Sequence, residues 1–214
     1  MLNSNIEVCT NKVVSIGRHR LLCGDITKGA VGHLLGDEKV DVIYSDPPWG
    51  PGNQQYWHTM RERGSVPATS WSDFLTVFCE VCAMAIKPRS PVMIEMGIRW
   101  VDELDGAMAR VGLNVRNRWT IFYGPKSKPL PNTLSLYGDR SIDIAMPSPP
   151  HGEVVTRAAL AAIVKSGDIV LDLCTGLGMT ARATHRLGGV FYGTEMNTVR
   201  LARTAAWLKK NIEL

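Results

Sequence analysis

Short apolar runs alternate with longer amphipathic segments along most of the chain. A dense apolar run bounded by proline or glycine is typical of a buried parallel strand, whereas apolar residues spaced three and four apart indicate a helix packed on a sheet. A hairpin-like pair at 12–17 and 20–23 opens the series. The predicted strands are 40–45, 91–96, 115–123, 141–146, 169–173 and 190–193, and the predicted helices are 71–86, 100–111, 153–164, 179–187 and 198–210.

Two segments interrupt this alternation and are predicted to be loops. Residues 50–70 are polar with scattered aromatic side chains, and residues 124–132 contain three prolines. Ser72 is the predicted cap of the helix after the first loop, and Lys87-Pro88 ends that helix. Strands that alternate with helices predict an α/β domain with a mainly parallel sheet.

Two motifs come directly after predicted buried strands. They are Asp46-Pro-Pro-Trp49 and the glycine-containing segment 172–180. In parallel sheets, ligands bind at the carboxyl ends of the strands. We therefore expect the two motifs to share one crevice despite their separation in sequence.

The glycine motif combines features of a nucleotide-type cofactor site. Gly176 and Gly178 allow a tight turn and a close approach to a ligand, and the helix that starts near Met179 points its amides at the same place. Glu195 ends the next strand, where a carboxylate can accept both hydroxyls of a ribose. The alternatives are a tight turn without a ligand, or an NAD site in which Ala181 replaces the third glycine.

The Asp46-Pro-Pro-Trp49 motif has the groups needed to activate an amino group on a base. The Asp46 carboxylate and the Pro47 carbonyl can accept two hydrogen bonds from one amino group, Pro48 stiffens the turn, and Trp49 offers a flat face for stacking. Two acceptors localise the lone pair of an exocyclic nitrogen, which makes it a nucleophile. The alternative is a proline-rich turn with a buried tryptophan.

With these motifs, the chain resembles the DNA N-4/N-6 amino-methyltransferases in their permuted arrangement, in which DPPW precedes the glycine motif. The opening segment 17–25 and segment 40–49 carry the resemblance, which extends to about residue 208. It implies an α/β, Rossmann-like S-adenosylmethionine-dependent methyltransferase fold. The expected sheet is seven-stranded and mostly parallel, with helices on both faces, an antiparallel last strand and a single domain over 1–214.

The resemblance also implies which residues hold S-adenosyl-L-methionine. Asp25 would contact its adenine end and Glu195 its ribose, although Asp25 also fits a simple turn cap. Asp46 to Trp49 would hold the target base. The implied cofactor residues are Asp25, Asp172, Cys174, Thr175, Gly176, Gly178, Thr180 and Glu195.

The chain departs from the family pattern in its glycine motif and just before it. Arg157 or Thr180 could replace the missing contacts to the methionine carboxylate. His151, which remains from a family histidine stretch, fits either a cofactor contact or an ordinary loop residue. The departures in the glycine motif itself are Leu173, Cys174, Leu177 and Met179.

Basic and aromatic side chains near both predicted loops suggest contacts with nucleic acid. This combination suits a phosphate backbone and an unstacked base, but ordinary solvated surface loops give the same pattern. The candidate nucleic-acid-binding residues are Tyr56, Trp57, Arg61, Arg63, Lys126 and Lys128. Residues 124–150 form a short candidate target-recognition segment.

Composition and charge add little evidence for a particular function. They argue against a disulfide-stabilised, metal-binding or membrane-spanning protein. The net charge of +4 and pI of about 8.9 permit a polyanionic partner without demonstrating one. The five cysteines are odd in number and scattered, so no disulfide framework is expected, and Cys79 and Cys82 are interpreted as buried thiols rather than a metal site. No metal and no membrane span are predicted, so we expect a soluble, cytoplasmic protein.

These features predict methyl transfer from S-adenosylmethionine to an exocyclic amino group, with adenine N6 in double-stranded DNA as the first choice. The alternatives are cytosine N4, adenine in RNA, and a catalytically silent cofactor-binding subunit. Because the recognition segment is short, we expect either relaxed specificity or a homodimer.

Overall fold

The computed structural model describes residues 11–61 and 69–212, which form strands and helices in alternation. Most of the predicted elements are present within a few residues of their expected limits. The strands are β1 Val13–Ile16, β2 His19–Cys23, β3 Val42–Ser45, β4 Val92–Gly97, β5 Val115–Tyr123, β6 Leu130–Tyr137, β7 Ile169–Asp172 and β8 Val190–Glu195. The helices are α1 Ala30–Leu35, α2 Pro51–Arg61, α3 Trp71–Ala85, α4 Val101–Arg110, α5 Glu153–Ile163, α6 Met179–Arg186 and α7 Thr198–Ile212.

The strands form one mixed sheet in the order β1-β2-β8-β7-β3-β4-β6-β5. The five strands from β2 to β4 in this order pair in parallel. Antiparallel pairing, expected for the last strand, occurs at both ends of the sheet, between β1 and β2 and between β6 and its neighbours. The α/β fold class is therefore confirmed, with eight strands where seven were expected.

Helices cover both faces of the sheet because neighbouring residues on the central strands point to opposite sides. Ile43 and Leu171 pack in a cluster that includes residues of α1, α3 and α4. Their chain neighbours Val42 and Val170 pack in the cluster that holds residues of α5 and α6. Helix α7 packs on β2 and β8 through Leu201.

Helix α2 lies where the sequence predicts a loop, so the prediction for 51–61 was wrong. Proline is well suited to the first helical position, and Pro51 occupies it. The Asn53 side chain and the Gly50 carbonyl accept hydrogen bonds from the backbone amides of Trp49 and Gln54. The helix escaped prediction because its few apolar side chains form no stripe with helical spacing.

The cap of α3 was also misassigned by two residues. Ser70, not Ser72, accepts the backbone amide of Asp73, and its hydroxyl donates to the Asp73 carboxylate at 2.7 Å. This reciprocal pair resembles a capping box, with aspartate in place of the longer glutamate. The helix therefore begins at Trp71, as the apolar spacing predicted.

Strand β6 begins inside the predicted loop 124–132, so this part of the loop prediction was wrong. The strand predicted at 141–146 is not formed. Pro131 is tolerated because the first two residues of β6 are exposed, and burial starts at Asn132. Residues 141–147 run beside edge strand β5 without forming a strand. The Ile142 amide donates to the Asn117 side chain, and Ile144 is buried, so apolar packing mimicked a strand pattern.

No helix within 11–61 and 69–212 is long and apolar enough to cross a membrane.

Candidate active site

The two motifs lie side by side at the carboxyl ends of adjacent parallel strands. Strand β3 leads into Asp46 and strand β7 ends at Asp172, and the two strands are paired. The Ser45 hydroxyl donates to Asp172 Oδ1 at 2.9 Å across this pair. The predicted adjacency of the two motifs is confirmed.

The DPPW turn is held by a hydrogen bond from its own tryptophan. Trp49 Nε1 donates to Asp46 Oδ1 at 2.6 Å, and the Trp49 ring centroid lies 4.9 Å from that of Tyr123. Asp46 and Trp49 remain partly accessible, whereas Pro47 is buried. The turn therefore presents one carboxylate and one aromatic ring together, as expected for a base-binding motif.

A glycine on the neighbouring strand makes room for this turn. A Cβ on Gly97 would lie 2.7 Å from the Trp49 carbonyl oxygen and 3.0 Å from its Cβ. Contacts this short do not occur, so any larger residue would displace Trp49. Gly97 is at the end of β4, which is how the sheet fixes the position of the tryptophan.

A second carboxyl lies close to the turn, in the interior. Glu95 on β4 is fully buried, and its two oxygens accept hydrogen bonds of 2.5 Å from the Tyr44 and Tyr123 hydroxyls. Burial raises the pKa of Glu95 to about 7 against the effect of these two donors. The sequence analysis did not single out Glu95, although a lone acidic residue within an apolar strand is a recognisable signal.

The acidic groups at this edge of the sheet influence each other. Burial and then the negative charge of Glu95 raise the pKa of Asp46 well above its usual range, while Trp49 and the Arg200 cation act in the opposite direction. Burial raises the pKa of Asp172 to about 6, although its carboxylate accepts several hydrogen bonds. Three neighbouring carboxyls, those of Asp46, Glu95 and Asp172, therefore have raised pKa values.

The glycine loop wraps around the Asp172 and Glu195 carboxylates. Asp172 Oδ1 accepts the Cys174 amide at 3.0 Å, and Glu195 Oε2 accepts the Gly176 amide at 2.8 Å. Gly176 has φ +55°, which few other residues adopt readily. Glu195 Oε1 accepts the Asn197 amide, so this carboxylate is held at the end of β8 as predicted.

Three residues assigned to the cofactor are directed into the protein. A Cβ on Gly178 would lie 2.6 Å from Thr204 Oγ1, so this glycine serves the contact between α6 and α7. The Thr175 hydroxyl lies against Gly193 in the sheet. The buried Thr180 hydroxyl bonds to Asp172, which makes Thr180 a support for the loop.

Asp25 is brought next to the glycine loop by the pairing of β2 with β8. Cys23 pairs with Glu195, and the Gly24 amide donates to the Glu195 carbonyl at 3.1 Å. The Asp25 carboxylate accepts the backbone amide and hydroxyl of Thr27 at 2.9 and 2.7 Å. The turn-cap interpretation is thus confirmed, and contact with a cofactor stays a prediction.

A cation–aromatic contact links α2 to the glycine loop. The Arg200 guanidinium lies 4.3 Å from the centroid of the Trp57 ring, and its Nη2 lies 3.0 Å from where a Cβ on Gly176 would be. Tyr56 packs edge to face on Trp57, and both rings are exposed. Arg200 was not identified from the sequence, since nothing in its helical pattern distinguishes it from a surface arginine.

The remaining predicted residues are helix-surface or loop residues, or lie outside the described parts. Arg157 is exposed on α5, and His151 Nε2 is 2.8 Å from the Gly124 carbonyl oxygen. Lys126 and Lys128 are exposed in the turn between β5 and β6. Arg61 ends α2, its side chain is not among those described, and Arg63 lies outside the described residues.

The cysteine pair behaves as the sequence predicted. Cys79 and Cys82 are fully buried free thiols on α3, and burial raises both pKa values, that of Cys79 to about 12. Across the described stretches there is no group of three or more His, Cys, Asp or Glu side chains suited to a metal ion.

Comparison with solved structures identifies the architecture. M1.HpyAVI matches at TM-score 0.60 and 16% identity, covering 86% of this chain and 94% of that one. TTHA0409 of Thermus thermophilus, assigned as a DNA modification methylase, matches at TM-score 0.64 and 16% identity, covering 91% and 95%. The chain has the fold of these DNA methyltransferases.

A third solved structure with the same fold has a stated target. The PvuII DNA methyltransferase, which is cytosine-N4-specific, matches at TM-score 0.63 and 12% identity, covering 90% of this chain and 91% of that one. Both M1.HpyAVI and TTHA0409 have also been crystallised with S-adenosylmethionine. No family model and no curated protein sequence matches the chain. The resemblance drawn from the motifs is thus confirmed for the fold.

Proposed function

We propose that the protein transfers a methyl group from S-adenosyl-L-methionine to an exocyclic amino group of a DNA base, with adenine N6 as the preferred target. The observation that carries the proposal is the adjacency of the two motifs. The Asp46 turn and the glycine loop follow paired strands, with Ser45 bonded to Asp172 between them. An amino group held by the turn thus lies beside a cofactor held by the loop.

The residues present fit the cofactor in chemistry and charge. Glu195 and Asp25, at the ends of paired strands, offer partly accessible carboxylates to ribose hydroxyls and to the adenine end. The other acidic groups, Asp46 and Asp172, have raised pKa values, and a bound sulfonium cation would favour their charged forms. When bound, the cofactor supplies an electrophilic methyl group.

The protein's own part in the reaction is to hold and orient the amino group. The Asp46 carboxylate and the Pro47 carbonyl accept its two hydrogens, which localises the nitrogen lone pair toward the methyl donor. Trp49 stacks the base, and its bond to Asp46 keeps the carboxylate at a fixed angle. As the new N–C bond forms, the nitrogen becomes positively charged and a proton must leave it.

The exposed rings and cations around the crevice support a nucleic-acid substrate. Tyr56 and Trp57 on α2 follow the DPPW turn directly and suit an unstacked base or a phosphate backbone. Lys126 and Lys128 lie on the turn that follows Tyr123 and can contact phosphates. Arg61 and Arg63 belong to the same proposed DNA-binding surface.

One further target is favoured by a specific observation. Cytosine N4 is an exocyclic amino group with the same pair of hydrogens, and a cytosine-N4-specific enzyme shares the fold. Adenine in RNA offers the same group as well. A silent cofactor-binding subunit is disfavoured by the Asp46–Trp49 pair, which such a subunit would have no need to keep.

A methyl-transfer assay tests the proposal. The purified protein is incubated with S-adenosylmethionine carrying a tritiated methyl group and with unmethylated DNA, RNA or protein. We expect label in DNA, and mass spectrometry of the hydrolysed DNA is expected to show N6-methyladenine. N4-methylcytosine would show that the target base is cytosine. Label in RNA would show that the substrate is RNA and not DNA. No label in any polymer would reject the enzyme activity.

A further inference from the structure

Glu95 is a buried carboxyl to which the mechanism above gives no role. It is fully inaccessible on β4, and its hydrogen-bond donors are the two neutral phenols of Tyr44 and Tyr123. No salt bridge reaches it from the described residues. Burying a carboxyl without a cation is expensive, so such a group calls for a functional explanation.

Two routes connect Glu95 to the DPPW turn. The first is geometric: the Tyr123 ring lies against Trp49, and Trp49 donates to Asp46. The second is electrostatic. The negative charge of Glu95 raises the pKa of Asp46, and no other charged neighbour changes that pKa as much. Each route ends at the carboxylate that holds the amino group.

We propose that Glu95 is a positioning residue for the methyl transfer, which fixes Tyr123 against Trp49 and strengthens Asp46 as the acceptor of the amino proton. This inference rests on the proposed function. As the N–CH3 bond forms and the S–CH3 bond breaks, one proton leaves the nitrogen and passes to the Asp46 carboxylate. A carboxylate beside a second negative charge binds that proton more tightly and is the better acceptor.

Charged and titratable groups face Asp46 from several elements, among them the phenols of Tyr44 on β3 and Tyr123 on β5. Glu95 faces it from β4, Asp172 from β7, and the Arg200 cation from α7, while Cys174 of the glycine loop lies close by as a neutral thiol. Of these, Glu95 and Asp172 raise the pKa of Asp46, and Arg200 lowers it.

The surroundings of Glu95 are mostly phenolic. Tyr44 on β3 and Tyr123 on β5 stabilise its charged form, whereas burial and Asp172 oppose that form. Removing the charge of Glu95 therefore leaves Arg200 less opposed, and Asp46 should ionise at lower pH.

The test is the pH dependence of kcat in Glu95→Gln, measured from about pH 5 to about pH 9. The acid limb reports ionisation of Asp46, and we expect it to move to lower pH by on the order of one pH unit. The plateau kcat should fall, while KM for DNA stays within about twofold, because the lost interaction matters in the transition state.

Two further variants separate charge from shape. Tyr123→Phe removes one donor to Glu95, so Glu95 is less often ionised, and the acid limb should shift in the same direction by a smaller amount. Glu95→Asp keeps the charge, and the acid limb should stay near its wild-type position. Asp105→Asn is the matched control, since Asp105 also accepts a tyrosine hydroxyl, from Tyr137, but lies away from the crevice.

The outcomes distinguish this inference from the proposed function. An unchanged acid limb in both Glu95→Gln and Tyr123→Phe, with folding confirmed by circular dichroism, would overturn the role of Glu95. If Glu95→Gln does not fold, Tyr123→Phe decides alone. Wild-type protein that methylates no nucleic acid would instead overturn the proposed function.

Discussion

Four consecutive strands of the sheet, β8, β7, β3 and β4, each bring an acidic side chain toward the carboxyl ends of the parallel strands. These groups are Glu195, Asp172, Asp46 and Glu95. Burial first, and then the charge of a neighbouring carboxyl, disfavours ionisation of Asp46, Glu95 and Asp172 and raises their pKa values. At the residue scale, ionising these carboxyls at neutral pH therefore lowers the folding stability of the protein. Their charged forms produce an electrostatic field that stabilises a bound cation.

Asp46 is predicted to be essential for transfer and dispensable for cofactor binding. In Asp46→Ala the amino group loses its charged acceptor, so we expect methyl transfer to be abolished, with the dissociation constant for S-adenosylmethionine within about threefold of wild type. Filter assays and calorimetry measure the two quantities. Asp37→Ala, at an exposed position, serves as control. Near-wild-type turnover in Asp46→Ala would show that the mechanism is wrong.

Asp172 and Glu195 are predicted to contribute alike to cofactor binding and to differ in their contribution to stability. Each substitution, Asp172→Asn and Glu195→Gln, should weaken binding by roughly 1–3 kcal/mol, the scale of a lost buried hydrogen-bond partner. Asp172 is 2% exposed and supports the loop, so its variant should also lower the melting temperature. Glu195→Gln should leave that temperature nearly unchanged.

Calorimetry and thermal melts on folded variants decide this, with Glu38→Gln as a surface control for a carboxylate in an ion pair. Unchanged cofactor affinity in both variants would mean that the glycine loop is not the cofactor site.

At the scale of elements, the end of β4 is predicted to set the position of the DPPW turn. Gly97→Ala forces a Cβ into the Trp49 carbonyl, so the turn must shift. We expect a loss of roughly 1–3 kcal/mol in unfolding free energy, as for an overpacked site. The loss in kcat should be larger than this change alone explains.

Gly106→Ala provides the matched control for this substitution. Gly106 is exposed inside α4, where an added Cβ meets only the end of Arg110 at 3.8 Å. Alanine is the better helix former, so stability should rise by about 0.5–1 kcal/mol with activity unchanged. Urea unfolding and the methyl-transfer assay measure both variants. Equal activity of Gly97→Ala and wild type would contradict the packing argument.

The elements that the sequence predicted well are those in which burial decides the structure. Strands β3, β4 and β7 are largely apolar and buried, and their ends therefore located Asp46 and Asp172 correctly. Helix α2 was missed because its start depends on Pro51 and on hydrogen bonds to Asn53, which leave no apolar period. Glu95 and Arg200 were missed because their roles depend on neighbours distant in sequence.

At the scale of the whole molecule, little surface is available for reading a DNA sequence. The candidate recognition segment 124–150 includes β6, whose residues from Asn132 onward are buried in the sheet. The rest is the turn 124–129 and the stretch 138–150, which returns along β5 to a bond between the Phe122 amide and the Pro150 carbonyl. Each bidentate base contact contributes about 1–3 kcal/mol of discrimination, and few such contacts fit here.

We therefore predict either relaxed specificity for a very short site or dimerisation on DNA, in which a second copy adds contacts. Single-molecule sequencing of DNA methylated by the purified protein gives the site, and analytical ultracentrifugation with a DNA duplex gives the stoichiometry. Modification confined to one site of about six or more base pairs by a protein that stays monomeric would contradict this prediction.

The pairing of Ser45 with Asp172 joins residues 127 positions apart, and this has a consequence for synthesis of the chain on the ribosome. At roughly 5–20 residues per second, about 6–25 s separate the emergence of the two partners. During this interval β3 carries an open edge where β7 will later pair. The two motifs cannot come together until β7 and β8 have been translated, so the nascent chain exposes this strand edge until then.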